Sequence, residues 1–451
     1  MTGVATMAAC VGYAGYYLTR CAVRPELHYK EGSDKPPSLI AQLARAVPSL
    51  NARYFPPFWG TNAHVNTAVS TYLRSLPSTV AYRRVELRAE DGGRVYVDWA
   101  RPLDLTNTLS STSSSPSLPT TETTTNVASF SSSFSSSMSA SSLSGSIPSA
   151  LNKNHPGLDE FFAGVAARTP TLVVCAGLNG GSGSVYVMHL AEEALRAGLL
   201  VCCLNNRGSN ATPLHTPKTY CGAYTDDIRL AMAHVRERRG RAHVVAAGFS
   251  LGANMLTKFV AEECRKRGEE GRETLEPSAA VVISNPWDFH EASRALRGVP
   301  AFDKVMAEGL VKQFKQHYRS VGWDSHPELD VGAILHDTKS VHDFDEQVTR
   351  RVWGYGSVDE YYTDASSCRY LQHVDVPLVA INALDDPLIP PSAIPFAAFR
   401  DNPSLLLVTT PCGGHVGFAE GLLPLGDISS WAERLAVECL QHVIALSGPF
   451  Q

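Results

Sequence analysis

Six short and almost uninterrupted apolar runs, at residues 171–176, 200–205, 243–248, 279–285, 377–383 and 404–410, constrain this chain more than any other feature. Segments with helical periodicity fall among them at 185–197, 225–239, 250–267 and 431–446. A strand that is apolar throughout is buried on both faces, and helices laid between such strands give a parallel sheet covered on both sides. Two β-rich runs precede them, at 82–88 and 94–100, on either side of Glu90-Asp91-Gly92-Gly93. That tetrapeptide predicts a hairpin, so the sheet should be mixed, with an antiparallel entry. Between Phe289 and Val376 the strand pattern stops. Helical, charged and aromatic residues replace it, and a helical cap is expected over 289–376.

Composition sharpens the division into domains. Residues 105–153 are dominated by Ser and Thr with scattered Pro, too poor in apolar side chains to offset the entropy of ordering. This stretch is expected to be a disordered insert, which leaves 54–104 and 154–451 as one large domain. The first 19 residues, Met1 to Thr19, carry no charged side chain and are followed by Arg20 and Arg24. As a helix at about 1.5 Å per residue such a segment spans a bilayer core, and its tyrosines suit the interface. No basic residue precedes the apolar run, as a cleaved signal peptide would need. A single uncleaved membrane anchor over residues 1–19 is therefore expected, with a peripheral or buried N-terminal helix as the alternative, and the positive-inside rule by itself puts the catalytic bulk in the cytosol.

Lys and Arg number 39 and Asp and Glu 44, a net charge of −5, which argues against a nucleic-acid partner held by a basic surface. The ten cysteines form no CxxC pair and have no metal-ligand spacing with His, so neither a metal nor a cofactor is expected. They read as small core hydrophobes in a reducing compartment.

The third parallel run leads into Gly248-Phe249-Ser250-Leu251-Gly252. Glycines two before and two after a serine permit the tight strand-to-helix turn that lifts the hydroxyl above a sheet, with a helix N-terminus beneath it. The run 377–383 is followed by Leu384-Asp385-Asp386-Pro387, and the last run by Cys412-Gly413-Gly414-His415. Nucleophile, acid and base in the order Ser, Asp, His, each on the loop after a strand, is the α/β-hydrolase order. Ser250, Asp386 and His415 are the candidate catalytic residues, with Asp385 as the competing acid or a turn-capping residue. The glycine-rich loop Gly177-Leu178-Asn179-Gly180-Gly181-Ser182-Gly183-Ser184 exposes main-chain amides. The amides of Leu178 and Leu251 are the candidate oxyanion hole. A phosphate cradle is the weaker reading, because neither the P-loop nor the dinucleotide spacing is met. Arg207, at the end of the second parallel run, is expected to be a buried residue ordering the neighbouring loops, with a substrate contact as the alternative. His189, His234 and His442 fall on helical segments and are expected to be ordinary satisfied or solvated imidazoles.

The chain resembles the membrane-anchored abhydrolase-domain lipases, a branch of the α/β-hydrolases that includes YheT-like hydrolases and medium-chain acyl-ester synthases. The resemblance is carried by Phe58-Trp59-Gly60-Thr61-Asn62-Ala63-His64 with Thr67, by the loop at 176–182, and by Asn206-Arg207-Gly208. It continues through Gly248 to Met255, Asn382-Ala383-Leu384-Asp385-Asp386-Pro387, and Gly413-Gly414-His415 with Phe418, Glu420 and Gly421. It implies a serine hydrolase acting on acyl-ester lipids (monoacylglycerols, phospholipids or medium-chain esters) with an N-terminal anchor, and it carries the triad onto Ser250, Asp386 and His415. Two departures stand out: Ala176 replaces a frequent His, and the Ser-rich insert is foreign to the pattern. Transfer of the acyl group to an alcohol instead of water is the alternative reaction. A non-catalytic binding protein on the same fold is a further alternative, disfavoured by the intact Ser, Asp and His.

Overall fold

The computed structural model describes residues 11–31, 38–74, 80–102, 157–271, 273–421 and 429–448. Its centre is a nine-stranded sheet. In chain order the strands are β1 (Glu26–His28), β2 (Arg83–Arg88), β3 (Arg94–Ala100), β4 (Thr171–Cys175), β5 (Leu200–Asn205), β6 (Val244–Phe249), β7 (Ala280–Ile283), β8 (Leu378–Ala383) and β9 (Leu405–Thr410). In space they run β1-β9-β8-β7-β6-β4-β5-β3-β2. The six strands from β5 to β9 across β4 are mutually parallel. The hairpin enters antiparallel, β2 on β3 and β3 on β5.

The parallel strands explain their own apolar composition. Side chains alternate between the faces of a strand, and in β4 Val173 and Cys175 enter one core while Leu172 and Val174 enter the other. The helices covering the two faces differ accordingly. The first core takes Met232 and Leu256, from helices at Asp226–Arg239 and Leu251–Glu270. The second takes Leu190 and Leu435, from Val185–Arg196 and Trp431–Ser447. We label these helices α1 (Val185–Arg196), α2 (Asp226–Arg239), α3 (Leu251–Glu270), α6 (Trp431–Ser447), and two helices between β7 and β8 as α4 (Phe289–Arg297) and α5 (Pro300–His317).

The expected insert at 105–153 lies outside the described residues. So does the first half of the expected anchor, residues 1–10. Among the described residues no helix is long and apolar enough to cross a membrane. Residues 11–16 are helical, Tyr17–Cys21 form a wider turn, and the segment then enters the protein with Cys21 and Ala22 fully buried. Its path is fixed by polar contacts with the body: the Tyr17 hydroxyl donates to Pro56 O at 2.7 Å, and the Arg53 guanidinium donates to Leu18 O and Ala22 O. The single-pass reading of residues 1–19 therefore has no support in the described part of that segment. The short β1, paired antiparallel with β9 through Leu27 and Val408, was not expected from the sequence.

Candidate active site

Ser250 stands between the end of β6 and the start of α3 with φ 50° and ψ −121°, a strained conformation for a residue with a Cβ. Its neighbours allow it. A Cβ on Gly248 would lie 2.8 Å from Ala253 Cα, and one on Gly252 would lie 2.5 Å from Cys175 O. Any side chain at either position would push helix and strand apart. The Ser250 amide donates to Ile283 O at 2.9 Å, pinning the turn to β7.

His415 Nε2 lies 2.8 Å from Ser250 Oγ, and its Nδ1 lies 2.9 Å from Asp386 Oδ2. The Asp386 side chain is fully buried. Its other oxygen, Oδ1, accepts from Leu388 N at 2.8 Å and Ile389 N at 3.1 Å. Those two amides stabilise the carboxylate and fix its rotamer. The three residues, separated by 136 positions and then by 29, thus form one hydrogen-bonded chain.

The histidine loop is held at each successive amide. Asp385 Oδ1 accepts from Gly414 N at 2.9 Å, Thr67 Oγ1 from His415 N at 2.8 Å, and Ser284 Oγ from Val416 N at 3.0 Å. Asp385 therefore does not contact the imidazole. Burial pushes its carboxyl up to about 6, and Oδ2 is buried with no partner. Thr67 belongs to the segment quoted in the resemblance, but no role followed from its position there. Ser284 belongs to the run Ile283 to Asp288, which also carries the resemblance, but no role followed from its position, because its partner is distant in the chain.

Leu178 follows Gly177 in the glycine-rich loop after β4, and Leu251 is the first residue of α3. The amides flanking Leu178 are occupied: Gly177 N donates to the Tyr186 hydroxyl at 3.1 Å and Asn179 N to the Tyr220 hydroxyl at 3.0 Å. Among the described residues the Leu178 amide has no acceptor, and the Leu251 amide, first in α3, has none within its helix. Asn179 takes a left-handed φ of 61°, and its side-chain amide donates to Met306 O in α5 at 3.1 Å. The far end of the glycine-rich loop is tied to the hairpin. Ser182 Oγ donates to Asp98 at 2.5 Å, and Asp98 also accepts a bidentate pair from Arg84.

Arg207 is buried and bridges two acids, with Nε to Asp227 at 2.8 Å and Nη1 to Asp91 at 2.6 Å. It orders loops and lies outside the pocket lining. His234 is likewise satisfied internally, accepting from the Trp99 indole at 3.4 Å. Eight of the nine described cysteines are buried, and all nine are free thiols. Among the described residues no group of His, Cys, Asp and Glu is arranged to hold a metal ion.

Ser250 and His415 open into a pocket of about 910 Å³, counting its mouth. Its walls include the apolar side chains of Leu178, Leu251, Phe289 and Met306. Tyr362 and Asp345 also line it. Tyr362 donates to Asp345 Oδ2 at 3.0 Å, and burial pushes the Asp345 carboxyl up to about 7.

A serine at a tight strand-to-helix turn, hydrogen-bonded to a histidine and through it to an aspartate on the loops after two further parallel strands, defines a class. The pattern of the alpha/beta hydrolase fold matches residues 170–422, and the chain belongs to that family. Among individual proteins it is similar to embryogenesis-associated protein EMB8 of Picea glauca, 31% identical over 391 residues that cover 86% of this chain and 72% of that one. It is 28% identical to phospholipase ABHD3 of Mus musculus over 417 residues, 92% of this chain and 84% of the relative. A monoacylglycerol lipase of Saccharomyces cerevisiae is 28% identical over 256 residues, 55% of each chain.

Proposed function

We propose that this protein is a serine hydrolase that cleaves acyl esters of lipids through an acyl-Ser250 intermediate. The observation that carries the proposal is the continuous Ser250–His415–Asp386 hydrogen-bond chain opening into an apolar pocket. In this reading His415 Nε2 takes the Ser250 proton as Oγ attacks the ester carbonyl. The tetrahedral oxyanion receives the amides of Leu178 and Leu251, aided by the N-terminus of α3. Asp386 holds Nδ1 protonated and stabilises the imidazolium, which then protonates the leaving alcohol. Water, activated by the same imidazole, releases the acid.

The apolar wall beside Ser250 suits an acyl chain. The relatives named as a phospholipase and a monoacylglycerol lipase support lipid esters as the substrate class and water as the acceptor. Both names denote hydrolysis, so transfer to an alcohol is not favoured. A fluorophosphonate probe should label the wild-type protein and not Ser250→Ala. The same variant should lose activity across glyceride and phospholipid panels by on the order of 10⁴-fold or more. Equal labelling of both proteins would remove Ser250 as the nucleophile.

A further inference from the structure

Ester cleavage at Ser250 gives no task to two acids in the same pocket. Asp303 and Asp345 are both buried, both line the pocket that holds Ser250 and His415, and among the described residues neither has an ion-pair partner. Their local bonding differs. Asp303, on α5, accepts the Val341 amide at 2.7 Å and so ties α5 to the short helix Val341–Phe344. Asp345 begins the wide helical turn Asp345–Thr349, and its donors are neutral: the Tyr362 hydroxyl, 3.0 Å from Oδ2, and the Thr349 side chain. Neutral hydroxyls satisfy a protonated carboxyl well and compensate a buried charge poorly.

A continuous run of side chains leads from the nucleophile to this carboxyl. Leu251 follows Ser250 in the chain. A Cβ on Gly222 would lie 3.3 Å from Leu251 Cδ1 and 2.7 Å from Phe289 Cζ, so those two side chains are neighbours. The Phe289 ring is 5.9 Å from the ring of Tyr362, whose hydroxyl reaches Asp345. All four side chains line the pocket. An acyl chain attached at Ser250 and laid along this wall meets apolar side chains first and the carboxyl after them.

Methylenes packed against a carboxyl exclude its water, which a neutral carboxyl tolerates and an ionised one resists. Burial, with the neighbouring charge of Asp303, raises Asp345 to about 7. Burial raises Asp303 as well. The phenols and thiol around them stay neutral: Tyr361 and Tyr362 are pushed well above the ordinary phenol value, and Tyr220 and Cys221 up to about 12. Two basic groups complete the lining. Arg297 of α4 is charged throughout, and His342 gains charge as pH falls, the opposite sense to a carboxyl.

We propose that Asp345, held by Tyr362 and Thr349 in the pocket wall, is a specificity-determining residue that admits short acyl chains freely and longer ones only while its carboxyl is protonated. The proposal rests on the hydrolase reading above and adds to it the group that selects acyl-chain length. Asp345 does not touch the triad, so its effect belongs to the choice of substrate and not to the bond-breaking step.

The test measures kcat/KM of the full chain for p-nitrophenyl butyrate and p-nitrophenyl decanoate at about pH 6 and about pH 8. The ratio of decanoate to butyrate cancels the protonation of His415, which both substrates share. A carboxyl titrating near 7 goes from about nine-tenths to about one-tenth protonated over this interval, so the wild-type ratio should fall about tenfold. Asp345→Asn keeps an oxygen for both hydroxyls and never ionises, and it should hold the acid-side ratio at both pH values. A wild-type ratio that does not change with pH overturns the proposal without recourse to any variant, and it is the result expected of a carboxyl that merely ties the cap together. A tenfold fall that persists in Asp345→Asn assigns the effect to Asp303 and also overturns it. If no ester is hydrolysed, the hydrolase reading has failed, and binding of the neutral ketone 2-undecanone to Ser250→Ala decides the role of the wall. Tighter binding at the lower pH, abolished by adding Asp345→Asn, supports the proposal; equal binding at both pH values overturns it.

Discussion

At the scale of single residues, two adjacent carboxyls have been given opposite environments. Asp386 accepts two main-chain amides and an imidazole, whereas Asp385 accepts one amide and leaves an oxygen buried and unpaired. Asp386→Asn removes the group that fixes the His415 tautomer, and kcat should fall by on the order of 10⁴-fold. Asp385→Asn should act on stability instead. Its carboxyl titrates near 6 when folded because burial disfavours the charge, against about 3.9 in an unfolded chain. The folded state thus binds the proton more tightly. The stabilisation is complete below about pH 4 and is lost as pH rises through about 6. An asparagine keeps an oxygen for Gly414 N and never ionises. The variant should therefore match wild type near pH 4 and exceed it by up to about 3 kcal/mol at pH 7. Thermal melts across that range measure it, and a pH-independent difference would contradict the assignment. Ser250, Asp386 and His415 were readable from the sequence because each follows an apolar strand run. Thr67 and Ser284 were not, since each grips a main-chain amide more than 130 positions away, and such a contact leaves no periodicity.

Among the elements, the glycine-rich loop after β4 and helix α5 behave as one unit. Asn179 donates to Met306 O, and a Cβ on Gly309 would strike the same Asn179 side chain. A substitution at Gly309 should therefore disturb the loop through α5 without touching the triad. Gly309→Ala is expected to lower kcat by about ten- to a hundredfold with a smaller change in KM, because the Leu178 amide is displaced in the transition state. Steady-state kinetics on a dissolved ester separates the two effects. An equal rise in KM at constant kcat would show that only the pocket wall had moved. The sequence announced the loop through its glycines. It gave no notice of the latch, because Asn179 lies in a loop, and which turn of α5 faces it is decided by tertiary packing.

For the whole molecule, the parallel sheet and its hairpin were legible because strands buried on both faces must be apolar along their length. Their spatial order was not, since connection lengths leave the position of each strand open. The chain leaves the hairpin at β3 and returns near it. Arg101 donates to Phe161 O at 2.6 Å, and a Cβ on Gly157 would meet the Arg83 guanidinium. Both ends of the connection between these points thus sit beside the hairpin. Replacing residues 105–153 by a short Gly/Ser linker should leave the melting temperature within about 3 °C, roughly 1 kcal/mol for a domain this large, and leave turnover of dissolved esters unchanged. Loss of folding on excision would show that the Ser-rich stretch contributes to the core.

The three residues of β1 also have a practical corollary. β9 is otherwise the outermost of the parallel strands, and its free main-chain groups would form a ladder open to any extended peptide. Glu26, Leu27 and His28 occupy that ladder and close it. A recombinant form that starts beyond residue 31 would present a bare strand immediately ahead of the histidine loop, and it should self-associate in solution.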